Sequence, residues 1–186
     1  MRKMGSVPII LIVAHVFSML GFSTYPALLP GLQAEWAMSN AQAGIVGSLF
    51  FAGYIATVSF WTALTDRMDG RWVYAAGSAV ALAGCAGFGL GAQGFLSACL
   101  FQALMGAGIA GTYMPGLRLL SDVVQGKSQS RYIAFYTAFF GIGAALSFAL
   151  AGVIEPAAGW KTAFVYCAAG SLVSGVMEAI AGAGPV

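Results

Sequence analysis

The chain has 186 residues, of which 60% are hydrophobic and only 8% are charged. Water-soluble domains carry charges on about a quarter of their residues, so this composition excludes a soluble globular protein and predicts an all-α integral membrane protein. The net charge of +2 is spread over several short polar segments, which argues against a nucleic-acid partner.

Six apolar runs are long enough to cross the ~30 Å hydrocarbon core of a bilayer. None of them has the period-two alternation of barrel strands. Residues 1–186 are therefore expected to form one six-span bundle in contact with the lipid bilayer. Its helices are predicted at residues 8–29, 42–64, 72–92, 95–120, 132–154 and 160–182.

Basic residues are concentrated in alternate connections between these runs. They are Arg2 and Lys3 before the first run, Arg67 and Arg71 after the second, and Lys127 and Arg131 after the fourth. The other connections are nearly free of positive charge. Because Lys and Arg are retained on the cytoplasmic side, both termini are predicted to be cytoplasmic.

Metal and cofactor chemistry is not expected. The three cysteines lie inside apolar runs without ligand spacing, and His15 is the only histidine. The sequence has no phosphate-binding loop, no Asn-Pro-Ala half-helix pair, and no Gly-x-Ser-Gly nucleophile followed by a histidine. An ATP-driven pump, a water channel and an intramembrane protease are therefore all disfavoured, and no enzyme activity is expected.

Short echoes link the two halves of the chain. Thr24-Tyr25-Pro26 is echoed by Thr112-Tyr113-Met114-Pro115, and Ser48–Gly53 by Thr137–Gly141. An odd number of spans per copy would make two three-helix repeats inverted, as in many secondary transporters. Chance similarity in a sequence rich in Gly and Phe is the alternative interpretation.

The segment after the second run resembles the best-known signature of the major facilitator superfamily. The matching residues are Leu64, Asp66, Arg67, Gly70 and Arg71. Thr62 stands in place of the usual leading Gly, and one extra residue lies between the Asp and the Gly. Asp122 and Arg131 also resemble an acid and an arginine of that family, whereas Gln102 replaces its helix 4 arginine.

This resemblance implies the N-terminal six-helix half of a secondary transporter that works by alternating access in a bacterial inner membrane. The expected partners are a small anionic or neutral solute, and either a C-terminal six-helix half or a second copy. A truncated or non-transporting six-span scaffold is the alternative.

In the resembled fold, helices 1 and 4 line the solute pathway. Polar groups inside spans are costly and therefore indicate functional sites. The pathway candidates are His15, Ser18, Tyr25, Gln102, Tyr113 and Arg118. Packing, and for Arg118 snorkelling or pairing with Asp122, are the alternatives. Pro115 with Gly116 is expected to kink helix 4.

The loop charges have two interpretations. In the first, Asp66 is expected to pair with Arg71, or to reach toward Asp122 through an intervening arginine. Either contact would hold the helices together in one transport state. Alternatively, the charges are solvated and serve only to orient the protein. Glu178, near the end of helix 6, is expected to be an interfacial charge.

Overall fold

The computed structural model describes residues 7–181, and every regular element in that range is helical. The all-α prediction is thus confirmed for this part of the chain. Arg2, Lys3 and the predicted end of the sixth helix at residue 182 lie outside the described residues. The helices are α1 (Val7–Ser18), α2 (Thr24–Glu35), α3 (Asn40–Leu64), α4 (Gly70–Gly91), α5 (Phe95–Val123) and α6 (Gln129–Ala181), with 3-10 helices at Met19–Gly21 and Gly126–Ser128.

Five segments of the described chain are long and apolar enough to cross a membrane. They are Val7–Glu35, Asn40–Leu64, Gly70–Gly91, Phe95–Val123 and Gly126–Ala181. The three middle segments match the predicted helices 42–64, 72–92 and 95–120 with ends that differ by at most three residues. The first and last segments differ from the sequence expectation, for reasons that lie in their backbones.

The first span is broken rather than continuous. A single helix over 8–29 was expected, but α1 ends at Ser18, a 3-10 turn follows, and α2 begins at Thr24. Pro26 explains the break, because a proline cannot donate to the carbonyl four residues before it, here that of Phe22, and its ring collides with that carbonyl. The helix then continues through Pro30 to Glu35, beyond the predicted end.

The last helix, α6, runs from Gln129 to Ala181 where two helices and a loop were expected. A straight helix of 53 residues would be about 80 Å long. The backbone leaves helical geometry at one residue, Gly159, with φ of 80° and ψ of 161°. Left-handed φ values favour glycine, so Gly159 divides α6 into a first arm (129–158) and a second arm (160–181).

Both arms of α6 pack against the broken first span, and the second arm also packs against α4. In the first arm, a Cβ atom added at Gly143 would meet Met19 of the 3-10 turn and the Val16 carbonyl of α1. The second arm runs antiparallel to α4, with Phe164 stacked on Phe88 at a ring-centroid distance of 4.1 Å. Farther along the same pair of helices, Tyr74 and Ser174 share a hydrogen bond of 2.6 Å. The two arms thus close the bundle around α1 and α4.

Glycines allow α5 to lie very close to its neighbours. A Cβ atom added at Gly106 would collide with the carbonyl group of Phe50 on α3, and one at Gly108 would collide with the backbone of Ala81 on α4. Between membrane helices, such close approach replaces the hydrophobic effect as a source of attraction. The contact is strengthened by the Trp61 indole, which donates to the Ala107 carbonyl at 2.8 Å.

The substitution Gly106→Ala should destabilise the bundle, because the new methyl group meets the Phe50 backbone and α3 must move away from α5. Overpacking of this kind costs roughly 1–3 kcal/mol. The measurement is unfolding of the purified protein in detergent by heat or denaturant.

Gly141→Ala is the matched control, since a Cβ atom there meets nothing within 4 Å. It should leave stability unchanged or raise it by up to about 1 kcal/mol through helix propensity. Equal stability of the two variants would show that the α3–α5 contact is not as close as described.

Candidate functional site

A cavity of about 270 Å³ opens between the broken first span and helices α3, α5 and α6. We call it the aromatic pocket, because most of its wall consists of aromatic rings. The ring of Phe22 packs edge-on against two other rings of the wall. The ring centroids are 5.2 Å apart for Phe50 and 5.0 Å apart for Phe140. The lining residues are Phe22, Phe50, Phe51, Tyr54, Ile109, Tyr113, Thr137 and Phe140.

The break in the first span places Phe22 in this wall. The amide of Ser23, which the break deprives of a helical partner, donates to the hydroxyl of Ser147 on α6 at 3.0 Å. The Thr24 hydroxyl lies 3.3 Å from the same Ser147 oxygen. Irregular backbone inside a membrane protein requires this kind of substitute partner, so Ser147 stabilises the conformation that presents Phe22 to the pocket.

Among the sequence-predicted pathway residues, Tyr113 lines the aromatic pocket directly. His15 and Ser18 are fully buried behind it. The His15 ring stacks on Tyr136 at 4.0 Å and lies 5.4 Å from the Tyr113 ring, while neither ring nitrogen has a hydrogen-bond partner among the described residues. The Ser18 hydroxyl donates to the His15 carbonyl at 2.7 Å.

Two other predicted pathway residues lie away from the pocket wall. Tyr25 is buried, and its hydroxyl donates to the carbonyl of Ala43 at 2.9 Å, which ties α2 to α3. Gln102 is 2% exposed, and its side-chain oxygen has no partner within residues 7–181. Both are polar groups inside the bundle, but the structure does not bring them to the same cavity as Tyr113.

Sequence reasoning missed most of the pocket wall. Phe50, Phe51, Thr137 and Phe140 were noted only as parts of the echo between the two halves of the chain. That echo is the signal that points to them, since both echoing segments face the same cavity. The aromatic character of the three phenylalanines alone does not separate them from exposed rings such as Phe60.

At the end of α3 the loop charges pair differently from the first expectation. Asp66 forms an ion pair with Arg118 of α5, and the same guanidinium donates to the Thr65 hydroxyl at 2.8 Å. Arg71 instead pairs with Asp69 at 2.6 Å. The partner of Asp66 is thus an arginine of α5 in place of the expected Arg71. Asp122 lies exposed one turn after Arg118 on the same helix.

The remaining residues of the predicted gating and kink sets occupy the same end of the bundle. Arg67 and Arg131 are exposed. Gly70 begins α4, where a Cβ atom would touch Leu119 of α5 at 3.0 Å. Helix α5 continues through Pro115 to Val123, and Gly116 leaves room for the rings of Tyr74 and Tyr136 against its backbone.

The expectation that Glu178 is an interfacial charge is wrong. Its side chain is fully buried inside the bundle, and neither carboxyl oxygen has a hydrogen-bond partner among the described residues. Its position near a helix end suggested the membrane interface, but the second arm of α6 turns this residue into the bundle. Residues 7–181 contain no group of three or more His, Cys, Asp or Glu side chains that could hold a metal ion.

A helical membrane bundle with a broken span beside a central pocket is the architecture of secondary transporters. The family profile of the Major Facilitator Superfamily matches residues 11–182. The chain therefore belongs to this superfamily, which confirms the resemblance found in the loop after α3, and it is an integral membrane protein.

Named relatives agree with this assignment. The chain is 25% identical over 153 residues to the niacin transporter NiaP of Acinetobacter baylyi, which covers 81% of this chain and 34% of that protein. It is 28% identical over 145 residues to a probable 4-methylmuconolactone transporter of Cupriavidus pinatubonensis, covering 74% of this chain and 33% of that one. The chain spans about a third of the length of both relatives.

A solved structure shares the fold. The crystal structure of a bacterial homolog of the human lysosomal transporter Spinster, in an inward-facing and unoccupied conformation, superposes with a TM-score of 0.88. Sequence identity is 16%, and the match covers 100% of this chain and 44% of that one.

The Asp69–Arg71 pair should give a measurable pH signature. Hydrogen bonds from Arg71 lower the pKa of Asp69 below its ordinary value of 3.8. A carboxyl with a lower pKa in the folded state stabilises the fold above its unfolded pKa, and this contribution is lost as the pH falls through the folded pKa. Because the pair is partly exposed, its effect on unfolding is small.

NMR titration of the ¹³C-labelled Asp69 carboxyl tests this expectation. Arg71→Gln should raise the pKa of Asp69 toward 3.8, whereas Arg67→Gln in the same loop should leave it in place. A wild-type Asp69 that titrates at or above 3.8 would contradict the pair.

Proposed function

We propose that this chain is the N-terminal six-helix half of a secondary active transporter that moves a small ring-bearing carboxylate across a bacterial inner membrane by alternating access. The observation that carries the proposal is the aromatic pocket. Four separate parts of the chain contribute rings to one cavity beside a broken span, a setting that suits a flat, largely apolar ligand.

The names of the two relatives support the same class of solute. Niacin is a small aromatic ring with one carboxylate, and 4-methylmuconolactone is a small lactone ring that also bears a carboxylate. In this chain the rings of Phe22, Phe50 and Phe140 suit the ring of such a solute. The hydroxyls of Tyr54, Tyr113 and Thr137, which also line the pocket, suit its oxygen atoms.

The complete bundle is proposed to have six spans within residues 1–186. The left-handed backbone at Gly159 supports two crossings by α6, because one arm alone is long enough for a ~30 Å core. Both termini are then cytoplasmic, in agreement with the distribution of Lys and Arg. The echoing segments that meet at the aromatic pocket support two inverted three-helix repeats.

The second wall of the pathway is assigned to a C-terminal six-helix half or a second copy of the chain. This chain encloses the pocket only in part, and it covers only 44% of the solved transporter that shares its fold. Tyr113 is the proposed contact to solute from α5. His15, Ser18, Tyr25 and Gln102 are proposed to support the pathway from behind.

The gate is proposed to be the contact between the loop after α3 and the inner end of α5, which we call the inner latch (Asp66 with Arg118). An exposed ion pair contributes little to overall stability, but one that exists in only one state biases the equilibrium between states. Arg67, Gly70, Arg71, Asp122 and Arg131 complete the proposed gating set around it.

Substitution of a pocket ring should weaken solute binding. Phe140→Leu keeps an apolar side chain but removes the ring, and aromatic contacts of this kind are worth about 0.5–1.5 kcal/mol beyond burial. We therefore expect niacin and benzoate to bind roughly three- to tenfold more weakly, measured by calorimetry on protein in detergent.

Phe148→Leu is the matched control, since Phe148 lies two turns later on the same helix and is 54% exposed away from the pocket. Equal affinities of the Phe140→Leu and wild-type proteins would refute the pocket as the solute site. A wild-type protein that binds neither solute would favour the alternative of a non-transporting scaffold.

Breaking the inner latch should slow transport without affecting solute binding. Asp66→Asn and Arg118→Gln each remove the ion pair, so flux of solute into liposomes should fall while affinity at the pocket stays within about fivefold, since exposed pairs contribute under about 1 kcal/mol.

The charge-swapped double variant, Asp66→Arg with Arg118→Asp, should recover part of the flux. Glu35→Gln is the control for removal of a charge elsewhere, and it should leave flux unchanged. The Trp160 indole donates to the Glu35 carboxylate at 2.7 Å, and the amide oxygen of the new glutamine can still accept this hydrogen bond. Wild-type flux in both single variants would eliminate the inner latch as a gate.

A further inference from the structure

The buried carboxyl of Glu178 has no role in the pocket or the inner latch. Its side chain is 0% exposed, three residues before the end of α6 at Ala181. Both carboxyl oxygens lack a hydrogen-bond partner among residues 7–181. Buried carboxyls are normally paired or hydrogen-bonded, so this one requires an explanation.

Polar groups surround Glu178 on the facing helices. Ser174, one turn earlier on the same helix face, shares a hydrogen bond of 2.6 Å with the Tyr74 hydroxyl of α4. Tyr74 also faces Ser18 of α1, and the carboxyl of Glu178 lies within electrostatic range of Tyr74. We call this set, together with Tyr136 and His15, the inner polar cluster.

Tyr136 connects this cluster to the rest of the bundle. It lies on the first arm of α6, within electrostatic range of Glu178. One face of its ring stacks on His15 at 4.0 Å, and its hydroxyl donates to the Tyr113 carbonyl on α5 at 3.3 Å. The inner polar cluster therefore touches α1, α4, α5 and both arms of α6.

The cluster is adjacent to the aromatic pocket but separate from it. None of its members lines the pocket, whereas Tyr113 lines the pocket and contacts His15 and Tyr136 from the other side. A change in the packing of the inner polar cluster would reach the pocket through Tyr113.

Within residues 7–181, the groups that face Glu178 do not supply a positive charge. The ion pairs of the described residues use Asp69 and Asp66 instead, and the titratable groups that face the cluster are tyrosines and His15. An ionised carboxyl in such a surrounding is strongly disfavoured, whereas the neutral acid can be accommodated.

We propose that Glu178 is a proton-binding site built into the inner end of the bundle. One O–H bond forms when the carboxylate takes up a proton from water, and the same bond breaks when the proton returns to water. The closed packing described here holds the acid. Separation of the second arm of α6 from α1 and α4 lets water reach the carboxylate and lets the proton leave.

Difference infrared spectroscopy tests proton binding directly. The 186-residue chain contains three glutamates, at positions 35, 155 and 178. In the folded double variant Glu35→Gln, Glu155→Gln, labelled with ¹³C-glutamate, Glu178 is the only source of a glutamic-acid carbonyl band. We expect that band near neutral pH and its loss as the pH is raised.

Glu178→Gln should remove the band, and Glu155→Gln alone should keep it. The assignment does not depend on whether Glu178→Gln folds, because the double variant retains Glu178. A folded double variant with no glutamic-acid band near neutral pH, or a band that persists in Glu178→Gln, would overturn the proposal.

Coupling of this proton to transport rests on the proposed function and has its own readout. In liposomes, a proton gradient should increase the wild-type flux of niacin or benzoate. Glu178→Gln should bind solute with unchanged affinity, but the increase in flux that the gradient causes should be at least tenfold smaller. An unchanged response in the variant would overturn coupling. Absence of solute binding by the wild type would refute the proposed function and leave the infrared result standing.

Discussion

A hydrogen bond that the backbone amide of Ser23 donates to the side-chain hydroxyl of Ser147 supports the arrangement on which the rest of the site depends. Inside a bilayer no water is available to satisfy an amide that leaves a helix. Pro26 interrupts the first span, and the bundle tolerates the interruption only because α6 supplies an oxygen at that depth. Phe22, at the break, is thereby held in the wall of the aromatic pocket.

Close packing around α5 gives the break a rigid frame. Glycines at the crossings of α5 with α3 and α4 bring these backbones into contact, and Gly89 and Gly170 do the same where the second arm of α6 meets α4 and α1. The aromatic pocket lies between α3 and α5 on one side and the broken first span and α6 on the other, so a shift between these two groups would change its shape. The inner latch joins the loop after α3 to α5 within the first of these groups.

The inner latch and the buried Glu178 have different physics. Asp66 and Arg118 are substantially exposed, with 66% and 44% of their side-chain surface accessible, so water screens their attraction and the pair is easily separated. Glu178 is buried, and burial disfavours its charged carboxylate, so it ionises more readily when water reaches it. An exposed pair suits a reversible contact between helices, whereas a buried carboxyl responds to opening of the bundle.

Much of this protein is determined by its sequence alone. The apolar runs, the basic loops and the motif from Leu64 to Arg71 identified an all-helical membrane protein of the Major Facilitator Superfamily, because hydropathy and loop charge act locally along the chain. Only the tertiary structure decided which side chains meet. The Asp66–Arg118 pair joins residues 52 positions apart, the pocket draws on four segments, and Glu178 is buried by a helix face whose direction depends on packing. Hydropathy measures how favourable it is to transfer a residue from water into lipid, but it does not say which neighbour that residue faces.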